Sequence, residues 1–384
     1  SSFSIFITRI FLIHITFIPM TRYRLTYQLK NIALEFGEND GKYFIQLGHS
    51  STGKILNLST LPSYLTERKV IIIDSVKSGT GRTPGKDIYL DILDPLFKEL
   101  SIEHEYHATK SATSISELAL SLKDHKVTII FISGDTSINE FINSLNDSEK
   151  GEIAIFPIPG GTGNSLSLSL NITNPLDAII RLFSAGTTLP LNLYEVDFPQ
   201  GSHYLIANEL GSPVPSHLKF LVVLSWGFHA SLVADSDTPG LRKHGIKRFQ
   251  LAAHQNLNRD QKYEGDFYIN DVELNGPFAY WLVTGSQRFE PTFEISPKGD
   301  ILKDELYVVT FNTQNTQYYI MDIMKEVYDK GSHIKNPNVV YKKLDKNDKI
   351  QLKTKNSKPL IQRRFCVDGS IIALPETESH EIYI

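Results

Sequence analysis

Three short apolar runs, each opening into a glycine-bearing loop and then a stretch with helical spacing, constrain this chain more than any other feature. Val70–Ile73 leads into SVKSGTGRTPG and IYLDILDPLFKEL, KVTIIFISGD leads into INEFINSL, and EIAIFPI leads into PGGTGN followed by SLSLSL and NPLDAIIRLFSAG. Apolar runs without alternation fit strands covered on both faces, and repeated strand–loop–helix units fit right-handed crossovers onto a parallel sheet. Between the first two units, a short segment ending at Thr109 reads as a strand and SISELALSL as a helix. The expected fold is therefore α/β, Rossmann-like, over 66–188.

The flanks read differently. TRYRLTYQLKNIALEF and GKYFIQL alternate like strands around the turn-forming GENDG, so 1–65 is an N-terminal extension with an apolar start and short strands. From Leu189 the chain becomes a series of β-like runs (HYLIANEL, KFLVVLSWGF, DFYIN, FAYWLVTG, LYVVTF, KIQLKT, QRRFCV, HEIYI) with little helix between them. This predicts a second, β-rich domain over 189–384, its last strand a candidate to return to the first domain. A length of 384 residues with 41% hydrophobic content supports two ordinary cores.

Charge excludes one class of partner. With 39 Lys+Arg against 43 Asp+Glu, the net charge of -4 gives no global attraction for nucleic acid, so any anion site is local. Cys366 is the sole cysteine, which excludes an internal disulfide and multi-cysteine zinc sites and suits a reducing, intracellular setting. The apolar stretch from Ile5 to Met20 carries Arg9 and His14 and is shorter than the roughly 20 residues a spanning helix needs. It reads as a targeting stub, a fragment end or translated upstream sequence, since the chain starts at Ser1.

In a parallel sheet the loops Lys77–Arg82, Ser133–Ser137 and Pro159–Asn164 all fall at the carboxyl edge, where ligands bind. Each alone reads as an ordinary βα turn. Three on one edge point to backbone N–H groups converging on phosphate. Neither familiar phosphate fingerprint fits: a Walker loop ending at Lys86 would need glycine at Thr80 and Ser or Thr at Asp87, and a dinucleotide loop would need glycine at Leu166. His104–His107 (HEYH) lacks zinc-ligand spacing. Asp135, just after Gly134, is either a carboxylate projecting beside the phosphate loops or the N-cap of the helix that follows it.

These motifs carry a family resemblance. SGDTSINEFINSL resembles the SGDG/GGDGT…NE loop and helix of diacylglycerol, sphingosine and ceramide kinases, and IFPIPGGTGNSLSLSL resembles their P-x-G-(T/S)-G-N loop. Trp226–Phe228 with Asp235-Ser236-Asp237 and Lys247-Arg248-Phe249 is similar to the sphingosine kinase stretch WGF…ESE…RF, and Val367-Asp368-Gly369 resembles the family's VDGE. The resemblance implies an α/β nucleotide domain and an antiparallel β-sandwich domain, and an ATP- and Mg2+-dependent lipid kinase whose site lies in the cleft between them, with Asp135 as general base on the lipid hydroxyl. It further implies ATP contacts from Ser78, Gly79, Thr80, Gly81, Thr109, Ser133, Gly134, Gly161, Thr162, Gly163, Asn164, Arg242, Arg248, Asp368 and Gly369.

The departures are specific. Ser75-Val76 replaces Asn-Pro, Thr136 replaces the glycine after the base, and Ser370 replaces the glutamate of VDGE. A β-branched Thr136 cannot relax into positive φ, so a different loop geometry is expected there. Substrate contacts fall to Ser231, Val233 and Asp235; Ser231 and Val233 stand where sphingosine kinases carry aspartates, which tilts the reading toward an uncharged headgroup such as ceramide or diacylglycerol. Peripheral contact with a membrane, from a cytoplasmic location, follows from a lipid substrate. The segment Lys342–Lys358, with seven lysines against two aspartates, is either a patch for an anionic leaflet or a solvated hairpin. A nucleotide-binding pseudokinase and an NAD kinase are the other readings.

Overall fold

The computed structural model describes residues 21–48, 53–123, 126–146, 152–244, 247–356, 358–377 and 379–384; the apolar stretch from Ile5 to Met20 lies outside them. The described residues form two compact units, 21–190 and Leu191–Ile384.

In the amino-terminal unit, β1 (Thr21–Tyr27), β2 (Ile32–Asn39), β3 (Lys42–Leu47) and β4 (Lys54–Leu58) form one sheet in the order β3-β2-β1-β4. Alternation along β1 buries Tyr23, Leu25 and Tyr27, as a one-sided sheet requires. A second sheet holds β5 (Lys69–Asp74), β6 (Glu105–Ala108), β7 (Lys126–Ser133) and β8 (Glu152–Pro159), all parallel, in the order β6-β5-β7-β8. Beyond their first residue, β5 and β7 are buried without interruption, the outcome expected of strands covered on both faces. The helices Asp94–Glu99, Ser114–Ser121, Asp135–Ser144 and Pro175–Ser184 complete the α/β arrangement.

The expected division at residue 65 is not a boundary between cores. Tyr23, Leu25 and Phe36 of the first sheet share one apolar cluster with Ile72, Ile130, Leu96 and Phe183. Residues 21–58 are a structural part of the α/β unit, because the buried face of their sheet packs into that cluster.

The carboxy-terminal unit is a sandwich of two antiparallel sheets, of eight and six strands. Its core draws on both: Trp226, Trp281, Val308 and Phe365 from the larger sheet, and Val196, Phe267, Leu352 and Ile382 from the smaller. Trp226 and Phe365 stack at 5.9 Å. The last strand, Ser379–Tyr383, does not return to the parallel sheet; it pairs with Ile350–Lys355 and, at Tyr383, with Asp197.

Among the described residues of this unit, three helices longer than two turns were not expected. Phe228–Ser236 follows the run KFLVVLSWGF, read as a strand, but Gly227 at φ 84° turns the chain out of the sheet. Lys247–Leu257 and Tyr319–Tyr328 follow the same helical logic, the latter burying Ile320, Met321, Ile323 and Val327 along one face. The lysine-rich segment is not a hairpin, since Val339–Leu344 and Ile350–Lys355 belong to different sheets. Lys343, Lys346, Lys353 and Lys355 pair with Glu305, Asp304, Glu381 and Asp266.

Candidate active site

The parallel strands deliver three loops to one edge. From β5 the chain runs through Ser75 to Arg82, from β7 through Gly134 into Asp135, and from β8 through Gly160 to Asn164. These loops touch one another through backbone. Gly160 N donates to Ser133 O at 3.0 Å, Asp135 N donates to Gly163 O at 2.9 Å, and Ser78 Oγ donates to Gly160 O at 3.0 Å. A side chain at Gly161 would lie 2.5 Å from the Cα of Gly134, and one at Gly134 would lie 2.6 Å from Gly163 O. The close approach of these two loops is what excludes a Cβ.

Asn164 closes its own loop, accepting from Gly161 N at 3.1 Å and donating to Gly161 O at 2.7 Å. Thr162 and Gly163 at the tip are exposed, as are Gly79 and Thr80. Ser133 Oγ donates to Gly134 O, and Thr109 N donates to Asp74 O at the neighbouring strand end. The glycine loops thus present exposed backbone at the carboxyl edge, an arrangement suited to phosphate.

Asp135 is 8% exposed and occupies the first turn of the helix Asp135–Ser144. Its side chain does not cap that helix. Oδ2 accepts from Ser165 N at 2.7 Å and Oδ1 from Leu166 N at 3.0 Å, the opening amides of the next helix, Ser165–Ser169. The carboxylate is therefore fixed in orientation. Thr136 lies within the helix, without left-handed backbone, so the loop distortion expected from it does not occur. Ser75 Oγ and Ser137 Oγ are 2.8 Å apart, a contact available to the serine that replaces asparagine.

Sequence reasoning passed over Arg82, the basic residue closing KSGTGR. Its guanidinium pairs with Asp74, which is fully buried, and Tyr106 OH donates to the other Asp74 oxygen at 2.8 Å. Burial pushes the Asp74 carboxyl above its ordinary range, against the pull of Arg82 and Tyr106. Arg82 also borders a cavity of about 290 Å³ whose other walls include Tyr43, Thr80, Gly81, Lys86 and Gly160.

The remaining candidates belong to the carboxy-terminal unit. Arg242 pairs with Asp237 and is largely exposed, while Arg248 lies over Phe249 at 4.9 Å. Burial and the nearby Arg242 lower the Arg248 pKa, and Asp237 opposes them. Ser231, 1% exposed, shares a 2.8 Å hydrogen bond with Tyr263 OH, which donates to Gln261. Val233 is half-buried on the same helix.

Asp235 is held by Arg364 Nη1 at 2.7 Å, Arg259 Nη1 at 3.0 Å, Asn256 at 2.9 Å and Asn208 at 3.1 Å. Burial alone would raise its pKa, but these donors bring it below the usual carboxylate range. Arg364, Arg259, Asn256 and Asn208 carry no motif, and their roles became visible only in three dimensions.

Asp368 and Gly369 lie at a turn of the larger sheet. Asp368 is 1% exposed and accepts from the amides of Leu221, Val222 and Val223 at 2.8–2.9 Å. With Gly369 at φ 94° it forms the turn joining Arg364–Val367 to Ser370–Ala373. Three buried amides on one carboxylate give Asp368 an architectural role, while Gly369 beside it is exposed.

Among the described residues no group of three or more His, Cys, Asp or Glu side chains is placed to hold a metal ion. His104 instead hydrogen-bonds Tyr89 OH at 2.8 Å. A magnesium ion would be held largely by nucleotide phosphates and water, with one or two carboxylates, of which Asp135 is the candidate at these loops. The loops also suit a nucleotide at Gly81 and Gly163, where a Cβ would meet nothing nearer than 3.9 and 4.0 Å, so the space is open. No described helix is long and apolar enough to cross a membrane.

Residues 69–196 match the diacylglycerol kinase catalytic domain. Sphingosine kinase B of Dictyostelium discoideum is 31% identical over 137 residues, 34% of this chain and 18% of that protein. Sphingosine kinase 1 of Rattus norvegicus is 23% identical over 261 residues, 61% of this chain and 63% of that protein, and its Arabidopsis thaliana namesake is 26% identical over 198 residues. The chain spans less than two thirds of the length of each of these relatives. Two solved structures from Bacillus anthracis str. Sterne, provisionally assigned as diacylglycerol kinases, superpose with a TM-score of 0.51 at 14% identity, over 83% of this chain and 94% of theirs. At that identity the likeness establishes the fold alone. The match over 69–196 takes in the strand-end loops just described, and it is this third of the chain that is similar to the diacylglycerol kinase catalytic domain.

Proposed function

We propose that the protein is a lipid kinase that transfers the γ-phosphoryl group of ATP to a lipid hydroxyl. The observation that carries this reading is the placement of Asp135: a carboxylate oriented by Ser165 N and Leu166 N, between two glycine loops at the edge of a parallel sheet. In the reaction the lipid oxygen bonds to the γ-phosphorus, its proton passes to Asp135, and the bond to the β-phosphate bridging oxygen breaks to release ADP. The exposed loop residues Gly79, Thr80, Thr162 and Gly163 meet phosphate charge, and Arg242 and Arg248 are the candidate side-chain cations. A bound magnesium ion supplies charge neutralisation at the phosphates.

An uncharged headgroup, as in ceramide or diacylglycerol, is favoured over a free sphingoid base. Val233 offers no counter-charge to an ammonium group, Asp235 is committed to two arginines, and Asp237 pairs with Arg242. Because the substrate lies in a bilayer, we place the activity at the cytoplasmic surface of a membrane. With four lysines of the 342–358 segment in ion pairs, that segment offers weaker support for the contact.

The test is ATP-dependent phosphorylation of ceramide, diacylglycerol and sphingosine in mixed micelles by the wild type and Asp135→Asn. Turnover should fall by at least about two orders of magnitude in the variant, the scale of general-base loss. Thermal melting controls for the helix Ser165–Ser169, whose two amides the side chain holds. ATP binding without product on any lipid would identify a binding protein instead, and product on NAD alone an NAD kinase.

A further inference from the structure

A cation placed next to a glycine loop invites assignment as a phosphate ligand, but the donors of Arg82 are already occupied. Nε and Nη2 donate to Asp74 Oδ1 at 3.2 and 3.0 Å. Nη2 also donates to the carbonyls of Ser75 at 3.2 Å and Ile132 at 3.3 Å, and Nη1 to those of Ser78 and Gly81, both at 3.3 Å. A guanidinium has five N–H donors, and these six contacts account for all of them. The side chain is 11% exposed, and its charge is matched by Asp74 at 0%.

The contacts also have a pattern. Asp74 ends β5, Ile132 lies in β7, and Tyr106, which holds the second Asp74 oxygen, lies in β6 and stacks on Tyr89 at 3.7 Å. Three adjacent strands and both ends of the loop Ser75–Gly81 thus meet at one planar group. A lysine ammonium cannot reproduce this fork.

We propose that Arg82 is a positioning residue: clamped by Asp74 and Tyr106, it holds the glycine loop in the shape that receives phosphate, and it does not itself contact the phosphates. This rests on the phosphotransfer reading above. Phosphate charge at this loop then meets backbone amides, not the guanidinium, so Asp74 matters to nucleotide affinity although no ligand touches it.

The experiment measures ATP affinity, KM for ATP, kcat and amide hydrogen exchange over 75–82 in the full chain carrying Arg82→Lys, Asp74→Asn or Tyr106→Phe. Positioning predicts that Arg82→Lys and Asp74→Asn each weaken ATP binding at least tenfold and raise KM, with kcat changed less than threefold and faster exchange in the loop. Tyr106→Phe leaves the ion pair in place and removes one hydrogen bond, so it should weaken binding two- to fivefold with the fold intact. A direct phosphate contact predicts the opposite ranking: Arg82→Lys keeps affinity, and Asp74→Asn, which frees the guanidinium, keeps or improves it. That ranking overturns the proposal while leaving the kinase reading in place. A wild type that binds no ATP overturns both.

Discussion

At the scale of single residues, the glycines of the candidate site divide into two kinds, and this changes what a substitution reports. Gly161 is forced by loop packing, so Gly161→Val should lower thermal stability together with ATP affinity. Gly163 has ordinary backbone, and an added Cβ would meet only Asp135 Oδ2 at 4.0 Å. Gly163→Val should therefore melt within a few degrees of the wild type while raising KM for ATP about tenfold or more, because only an approaching phosphate finds the new side chain in its way. Unchanged KM would remove this loop from the cradle.

His229 provides a pH signature of the other unit. Its Nδ1 shares a 2.6 Å hydrogen bond with Ser225 Oγ, aromatic rings of Phe289 and Tyr280 pack beside it, and burial pushes its pKa down to about 4. The unfolded chain, titrating near 6.5, binds more protons than the folded one between these values, so stability falls as pH drops from 6.5 toward 4. His333 adds to the same limb, since burial lowers it too. Unfolding midpoints should show His229→Gln losing less stability than the wild type between pH 7 and pH 5, by on the order of 1–2 kcal/mol. Parallel curves would mean the ring is solvated.

At the scale of elements, what was legible in the sequence follows a physical rule. The parallel strands were readable because their apolar runs are continuous and their loops carry glycine; Asp135 was readable because it follows such a run. Its partner was not, since the amides of Ser165 and Leu166 belong to another helix and neither reading of Asp135 foresaw them. The helix Phe228–Ser236 was hidden because its residues are apolar around much of its circumference, with Phe228, Ala230, Ser231 and Ala234 all buried, so no 3.6-residue stripe distinguishes it from the strand it follows.

The Val-Asp-Gly motif was legible as a sequence, and the structure adds what its aspartate does for the fold, which is to hold three amides. Asp368→Ala should leave three buried amides without acceptors and destabilise the carboxy-terminal unit by about 3 kcal/mol or more. A chemical denaturation midpoint near that of the wild type would contradict this role. Any activity loss in that variant should be explained by its lower stability before nucleotide contact is invoked.

For the whole molecule, the shared core of 21–58 with the α/β unit means that the catalytic-domain match starting at residue 69 is not a folding unit by itself. Phe36 is fully buried and stacks with Tyr23 at 5.5 Å, far in sequence from any glycine loop. Phe36→Ala should cost about 3–5 kcal/mol, and ATP binding should disappear at temperatures where the wild type retains it. Separately, a fragment starting at residue 66 should be insoluble or molten; cooperative melting of that fragment would show the sheet β3-β2-β1-β4 to be dispensable.

The strand Ser379–Tyr383 sits inside its six-stranded sheet, between Ile350–Lys355 and Tyr194–Asp197, and Ser370–Ala373 sits inside the larger sheet beside His203–Ile206. A chain emerging from the ribosome can close its parallel sheet once Pro159 is clear, but the early strands of the sandwich must wait for the last ones to be synthesised. Through that interval Tyr194–Asp197 and His203–Ile206 present unpaired edges, the condition under which nascent chains aggregate or engage chaperones. Synthesis rate and chaperone supply, more than the stability of the finished fold, should then set how much of this protein a cell recovers in usable form.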